Sequence, residues 1–160
     1  MMTLIVYESY HHLNTERIAR AMAEALGATL AKPPGVGPGS LAGYDLVGFG
    51  SGIYFGRHHK ELLALVERLP PQQGKAAFIF STSGALRDQH GRLRHALEKK
   101  GFDIKGEFAC RGLDTFGLLW LVGGIQKGKP DEGDVERARA FAEEMKKRAL
   151  KEGDHYYQQL

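Results

Sequence analysis

The stretch LIVYESYHHLNT, residues 4–15, decides the architecture. Four apolar or aromatic residues in a row (Leu4, Ile5, Val6, Tyr7) suit a short strand covered on both faces. The chain then passes through hydroxyls, imidazoles and an amide straight into residues with helical spacing. Ile18, Met22, Ala25 and Leu26 share one face, Asn14 or Thr15 can cap the start, and Gly27 is placed to end the helix. A strand feeding a helix through a short polar loop is the first half of a βαβ unit.

The same rhythm continues outward. Leu46 to Phe49 and Ala76 to Phe80 read as further covered strands. Ile104 to Cys110 alternates, as an edge strand would, and Ala28 to Ala31 is a weak fifth strand. Between them lie a helix carrying Leu62, Leu63, Val66 and Leu69, stopped by Pro70-Pro71, and a more polar one carrying Leu86, Leu93 and Leu97. Asp134 can cap a last helix with Val135, Ala138, Phe141, Ala142 and Met145. Residues 32–43 hold three prolines and four glycines, so loop with at most a turn near Ser40-Leu41 is expected there instead of a crossover helix. The alternation predicts a parallel sheet with helices on both faces, as one domain over residues 1–150 with residues 151–160 as a C-terminal tail.

Composition narrows the function classes. In 160 residues, 22 Lys+Arg stand against 19 Asp+Glu, a net charge of +3 without a basic block, which does not point to nucleic acid. One cysteine, Cys110, excludes an internal disulfide framework and fits a cytoplasmic protein; it reads as a small buried apolar residue. No targeting segment or membrane span is expected. The 21 glycines show no collagen period and call for a local reason.

In an open parallel sheet, ligands sit beyond the carboxyl ends of the strands. Three segments there draw attention. The first is Glu8 to Thr15, whose entry into a helix suits an anion, although Ser9, Asn14 and Thr15 also suit plain capping. The second is Gly50-Ser51-Gly52-Ile53-Tyr54-Phe55-Gly56, read as a loop whose glycines allow close approach to a flat ligand, with Tyr54, Phe55 and Trp120 available to cover a ring. The third is Ser81-Thr82-Ser83-Gly84. Neither a dinucleotide fingerprint nor a Walker A sequence is present. Glu8 is the sole acid at the end of strand one, which argues against a phospho-acceptor domain. The pairs His11-His12 and His58-His59 lack the companions of a metal site. Ser81 and Ser83 have no evident His/Asp partnership, and Gly-x-Ser-x-Gly is absent, which argues against a hydrolase. The apolar run Leu118 to Val122 has no single reading.

On these residues the chain, to about Lys147, resembles the flavodoxin family. Tyr7-Glu8-Ser9 to Asn14-Thr15 is similar to its phosphate loop, Gly50 to Tyr54 to its second flavin loop and Ser81 to Gly84 to its third. Cys110 to Thr115, with Gly123-Gly124-Ile125 and Lys127-Gly128-x-Pro130, is similar to a C-terminal signature of one branch. The resemblance implies a flavodoxin-like three-layer α/β/α fold with a five-stranded parallel sheet in the order 2-1-3-4-5. It also implies non-covalent FMN and electron transfer with a redox partner protein or a small-molecule donor or acceptor, as a carrier or a reductase. Ser9, His11, His12, Asn14 and Thr15 would then meet the phosphate. Gly50, Ser51, Gly52, Ile53, Tyr54, Ser81, Thr82, Ser83 and Gly84 would border the ring and ribityl chain. Leu13 stands where the family loop has glycine, the loop is one residue longer, and His11-His12 replace threonines. Leu13 motivates a second reading, a flavodoxin-like binding or scaffold domain without flavin. Similarity of Ile53 to His59 to flavodoxin-type protoporphyrinogen oxidases motivates an enzyme within the first. The positive net charge is unlike the acidic surface of carrier flavodoxins.

Overall fold

In a computed structural model that describes residues 1–10, 13–85, 88–112 and 128–157, strands and helices alternate. They are β1 (Thr3–Glu8), α1 (Asn14–Leu26), β2 (Thr29–Ala31), β3 (Leu46–Tyr54), β4 (Arg57–His58), α2 (Lys60–Arg68), β5 (Lys75–Ser83), α3 (Gly91–Lys99), β6 (Phe102–Arg111) and α4 (Glu132–Tyr157). Five strands run parallel in the order β2-β1-β3-β5-β6, which among the parallel strands is the expected 2-1-3-4-5. The two-residue β4, absent from the expectation, turns back antiparallel on β3.

Alternate residues of each strand fill opposite cores. Ile5 and Tyr7 of β1 pack with Phe78 and Phe80 against α1 and α4. Leu4 and Val6 pack with Phe49 and Ile79 against α2 and α3. Between β2 and β3 the chain makes a 3₁₀ turn at Pro33–Gly35 and further hydrogen-bonded turns from Gly37 to Tyr44, with Val36 and Leu41 buried beneath them. No full helix forms there, as the prolines and glycines require.

Three local details differ from the sequence reading. Strand β3 runs on to Tyr54 and β5 to Ser83, so Gly50 to Tyr54 and Ser81 to Ser83 are strand and not loop. The cause is a small-beside-large match in the register: Gly48 lies next to Phe78 and Gly50 next to Phe80. A Cβ on Gly50 would sit 2.3 Å from the Phe80 ring, so this glycine makes room for a core phenylalanine. Second, neither Asn14 nor Thr15 caps α1. The N-cap is Leu13, and the hydroxyl of Ser9 accepts the Glu16 N–H at 3.2 Å from outside the helix. Third, Asp131 shares the capping of α4 with Asp134, each carboxylate accepting the other's backbone N–H at 2.9 Å. Gly27 ends α1 at φ 61, as expected.

Candidate functional site

The carboxyl ends of β1, β3 and β5 meet on one edge of the sheet. Their connections converge on four consecutive residues of β5. The Phe80 carbonyl accepts from His58 Nε2 at 3.1 Å, and the Ser81 hydroxyl lies 2.7 Å from His90 Nε2. The Thr82 hydroxyl meets that of Thr15 at 2.8 Å, and the Ser83 carbonyl accepts the Gly112 N–H at 3.0 Å. The end of β5 thus ties together α1, the β3–β4 hairpin, the start of α3 and the end of β6.

The hairpin is shaped by its own turn. Tyr54 pairs with Arg57, leaving Phe55 and Gly56 as a two-residue loop with φ of 51 and 78. Two positive φ values mark the type I′ turn that matches strand twist, a turn that favours asparagine or glycine at its first position. Phe55 occupies that position with 85% of its surface exposed. A bulky residue at positive φ is strained, and such strain gathers at ligand sites. Ser51, fully buried, braces the hairpin base by donating to Gly52 O at 2.6 Å and accepting from His59 N at 2.9 Å.

Between the hairpin and the end of β1 lies a cleft of about 540 Å³, lined by Glu8, Tyr10, Tyr54, Phe55, His58 and His59 among others. That volume falls in the range of small-molecule and cofactor sites. The rings form one wall: Tyr10 stacks on His59 at 6.1 Å, and Tyr54 meets His59 edge-on at 5.3 Å. Burial pushes the Tyr54 phenol up, so it stays neutral. Glu8 accepts from Ser9 N and pairs with Lys32 at 3.3 Å.

Leu13 takes φ 53 and ψ 27, the left-handed conformation that glycine adopts without cost. Its side chain is 57% exposed, so the backbone keeps the glycine-like turn and the bulk points to solvent.

A partly buried polar relay leads away from the end of β5. Arg94 grips Glu107 through Nε and through Nη2 at 2.7 Å, and holds that carboxyl below its usual range. Glu107 therefore accepts, and His90 Nδ1, 3.0 Å away, carries the proton. In the tautomer with its proton on Nδ1, the ring accepts the hydrogen bond of the Ser81 O–H at Nε2. This serine, histidine and carboxylate line up in the order of a hydrolase triad, a partnership the sequence did not disclose. Ser81 and His90 are 3% and 4% exposed, so the hydroxyl is not presented to a substrate. His58, tilted over His90 at 5.1 Å, is held at about 4 by burial and by that neighbour, and is neutral.

Of the residues singled out from sequence, the structure brings Ser9, Thr15, Ser51, Ser81 and Thr82 into this hydrogen-bonded framework. Gly52 packs beneath the Tyr54 ring, and Ile53 and Tyr54 stand at the hairpin. The Ser83 hydroxyl turns to the Ala85 carbonyl, next to Gly84. Asn14 lies against Gly112, where a Cβ would come within 2.6 Å of its amide nitrogen. His11, His12, Leu86, Trp120 and the apolar run at 118–122 fall outside the described residues. Cys110 is buried, its thiol pushed up to about 12, and is not a nucleophile. Among the described residues no cluster of metal-ligating side chains forms, and no helix is long and apolar enough to cross a membrane.

Comparison with known proteins agrees with this arrangement. Residues 4–120 match the family model of the flavodoxin domain. The uncharacterized protein MJ0298 of Methanocaldococcus jannaschii is 45% identical over 150 residues, spanning 92% of this chain and 99% of that one. Oxidised flavodoxin 2 from Bacillus cereus superposes with a TM-score of 0.69 at 19% identity, over 92% of this chain and 99% of its own. The rubredoxin oxygen:oxidoreductase of Desulfovibrio gigas superposes at 0.72 with 17% identity, over 93% of this chain but 36% of that much longer one.

Proposed function

This chain belongs to the flavodoxin family, and from that premise we propose that it is an FMN-binding redox protein holding its flavin without a covalent bond in the cleft beside the β3–β4 hairpin. The observation that carries the reading is a ring-lined cleft of cofactor size between the end of β1 and the β3–β4 hairpin, a hairpin that is itself tied to the end of β5. The residues fit the group. Ser9, Asn14 and Thr15 stand at the start of α1, where the helix dipole favours a phosphate. Phe55 and Tyr10 offer exposed rings at the mouth of the cleft for an isoalloxazine face. Leu13, at the family's glycine position, keeps a glycine-like backbone with its side chain exposed, which supports the reading.

When bound, the flavin supplies one- or two-electron transfer, and the protein tunes it through packing and hydrogen bonds. This chain's part is to orient it. Ser51 holds the hairpin that would carry Phe55, and the bonds to Phe80, Ser81 and Thr82 keep the three loops in one arrangement. Electrons would pass to or from a redox partner protein or a small-molecule donor or acceptor.

The test is the visible spectrum of the purified protein, followed by titration with FMN. A yellow protein, or saturable quenching of flavin fluorescence at one equivalent, is expected. A colourless protein that leaves FMN fluorescence unchanged would overturn the reading and favour the flavin-free scaffold. Rapid single-turnover flavin reduction by NAD(P)H or a quinol would identify a reductase; reduction only by a protein partner would identify a carrier.

A further inference from the structure

Among the described residues, Tyr10, Leu13 and Phe55 stand at the carboxyl edge of the sheet with 61%, 57% and 85% of their surface exposed. The other exposed large apolar side chains lie elsewhere, Met1 and Met2 before β1 and Leu150 late in α4. Tyr10 and Phe55 line the cleft but Leu13 does not, so the apolar surface extends beyond what a molecule in the cleft covers. Arg57 and Lys60 flank it at the hairpin and the start of α2. Arg111 flanks it on the other side, next to Gly112, which lies against Asn14. All three cations are exposed, and none pairs with a carboxylate among the described residues. Arginines on the helices differ: Glu16 neutralises Arg20, Glu24 neutralises Arg139 and Glu144 neutralises Arg148.

Acids at this edge do not cancel the excess. Glu8 is paired with Lys32, and Asp131, Glu132 and Asp134 at the start of α4 are met by Lys129, Arg17 and Arg137. Asp88 and Glu107 share Arg94, which leaves one carboxylate over, and Glu61 adds another beside Lys60. Against those two acids stand Arg57, Lys60, Arg111 and the exposed Arg92 in the first turn of α3. Residues 11–12, 86–87 and 113–127 contribute, by sequence, Arg87, Asp114 and Lys127, so they do not reverse the sign.

We infer that this edge docks an acidic redox partner protein, with Tyr10, Leu13 and Phe55 as the apolar centre and Arg57, Lys60 and Arg111 as the cationic rim. The inference rests on the FMN reading and names the chemistry of the partner. Protein interfaces combine an apolar centre with a polar rim. Uncompensated charges of one sign steer a partner of the opposite sign and suppress the wrong one. The same loops would hold the flavin, so docking there brings the two redox groups together. A small anion would need the cations alone and would give no use to Leu13, which is exposed outside the cleft.

The experiment uses the full chain loaded with FMN, reduced by dithionite without oxygen and freed of excess reductant. Stopped flow mixes it with ferric cytochrome b5, an acidic protein, with ferric cytochrome c, a basic one, or with ferricyanide. Two electrons pass singly from the reduced flavin to two acceptors, each iron going from ferric to ferrous, and the flavin's protons leave to solvent. Raising NaCl from about 0.01 to about 0.5 M shortens the Debye length from ~30 Å to ~4 Å. Flavin oxidation by cytochrome b5 should slow about tenfold or more over that range, whereas oxidation by cytochrome c should not slow. Arg57→Gln combined with Lys60→Gln, and Arg111→Gln alone, should each slow the cytochrome b5 reaction about threefold or more at low salt and converge with wild type at high salt. Leu13→Ser should slow it at both salt concentrations. A cytochrome b5 rate that is flat or rises with salt would overturn the inference and leave the FMN reading standing. So would a salt response confined to ferricyanide, which marks a site for small anions. Failure of the wild-type chain to bind FMN would overturn both. Should a variant not fold or not hold FMN, the wild-type salt dependence decides alone.

Discussion

Gly50→Ala places the reason for the glycine-rich third strand under direct test. The added methyl would lie 2.3 Å from Cε2 and Cζ of Phe80 and 2.5 Å from Cδ2, all far inside contact distance. Phe80 cannot swing away cheaply: it is fully buried and has Phe78 at 6.2 Å on the same face. Nor can β3 and β5 separate, because seven residue pairs from Leu46↔Ala76 to Gly52↔Thr82 hold the register. Overpacking of this kind costs about 1–3 kcal/mol. Restricting the unfolded chain returns about 0.4–1 kcal/mol. A net loss of about 1–2 kcal/mol is expected. With a urea m-value of ~2 kcal/mol/M, the unfolding midpoint should fall by about 0.5–1 M. Combining Gly50→Ala with Phe80→Leu should cost less than the sum of the two single changes, because the shorter side chain vacates the contested space. The opposite pattern, an unaltered midpoint with weakened FMN binding, would refute the packing argument and return Gly50 to a ligand-facing role.

Three further outcomes follow from the strained and buried residues. Leu13→Gly should raise the unfolding free energy by about 0.5–1 kcal/mol, the left-handed penalty outweighing the flexibility glycine adds to the unfolded chain, and a lowered thermal midpoint would contradict the assignment. Phe55→Asn, which suits the type I′ turn better, should preserve or raise stability while weakening FMN binding, and unchanged titration curves would remove Phe55 from the site. The His58 imidazole, held at about 4, binds its proton less readily in the folded chain than in the unfolded one. Its contribution is therefore complete above about pH 6.5 and is lost as pH falls towards 4, roughly 3 kcal/mol at ~1.4 kcal/mol per pH unit. Glu107, held low chiefly by Arg94, adds a loss in the same direction as pH falls below the ordinary carboxylate range. Urea unfolding at a series of pH values should show the upper part of this slope in wild type and not in His58→Gln.

The layered fold was legible because it rests on periodicity within single segments. Leu4 to Tyr7, the Ile18-Met22-Leu26 face and the punctuation at Gly27 and Pro70 each carry their meaning locally. What could not be read depends on pairing between segments distant in the chain. Gly50 looked like a loop glycine because nothing near it in sequence announces Phe80 as its lateral neighbour. Ser81, His90 and Glu107 come together only because β6 lies beside β5 and α3 begins above both strands, which no spacing in the chain encodes. Leu13 departs from the family's glycine in residue type, and only the structure shows that its backbone keeps the left-handed turn with the side chain exposed.

The four bonds that leave Phe80, Ser81, Thr82 and Ser83 for four different segments carry a consequence for how the molecule breathes. None of those segments can detach without disturbing the same strand end, so the hairpin, the start of α1, the start of α3 and the end of β6 should open as one cooperative unit. Their amide protons should then exchange with solvent at a shared opening free energy, and a molecule that seats against any one of them should slow exchange in all four.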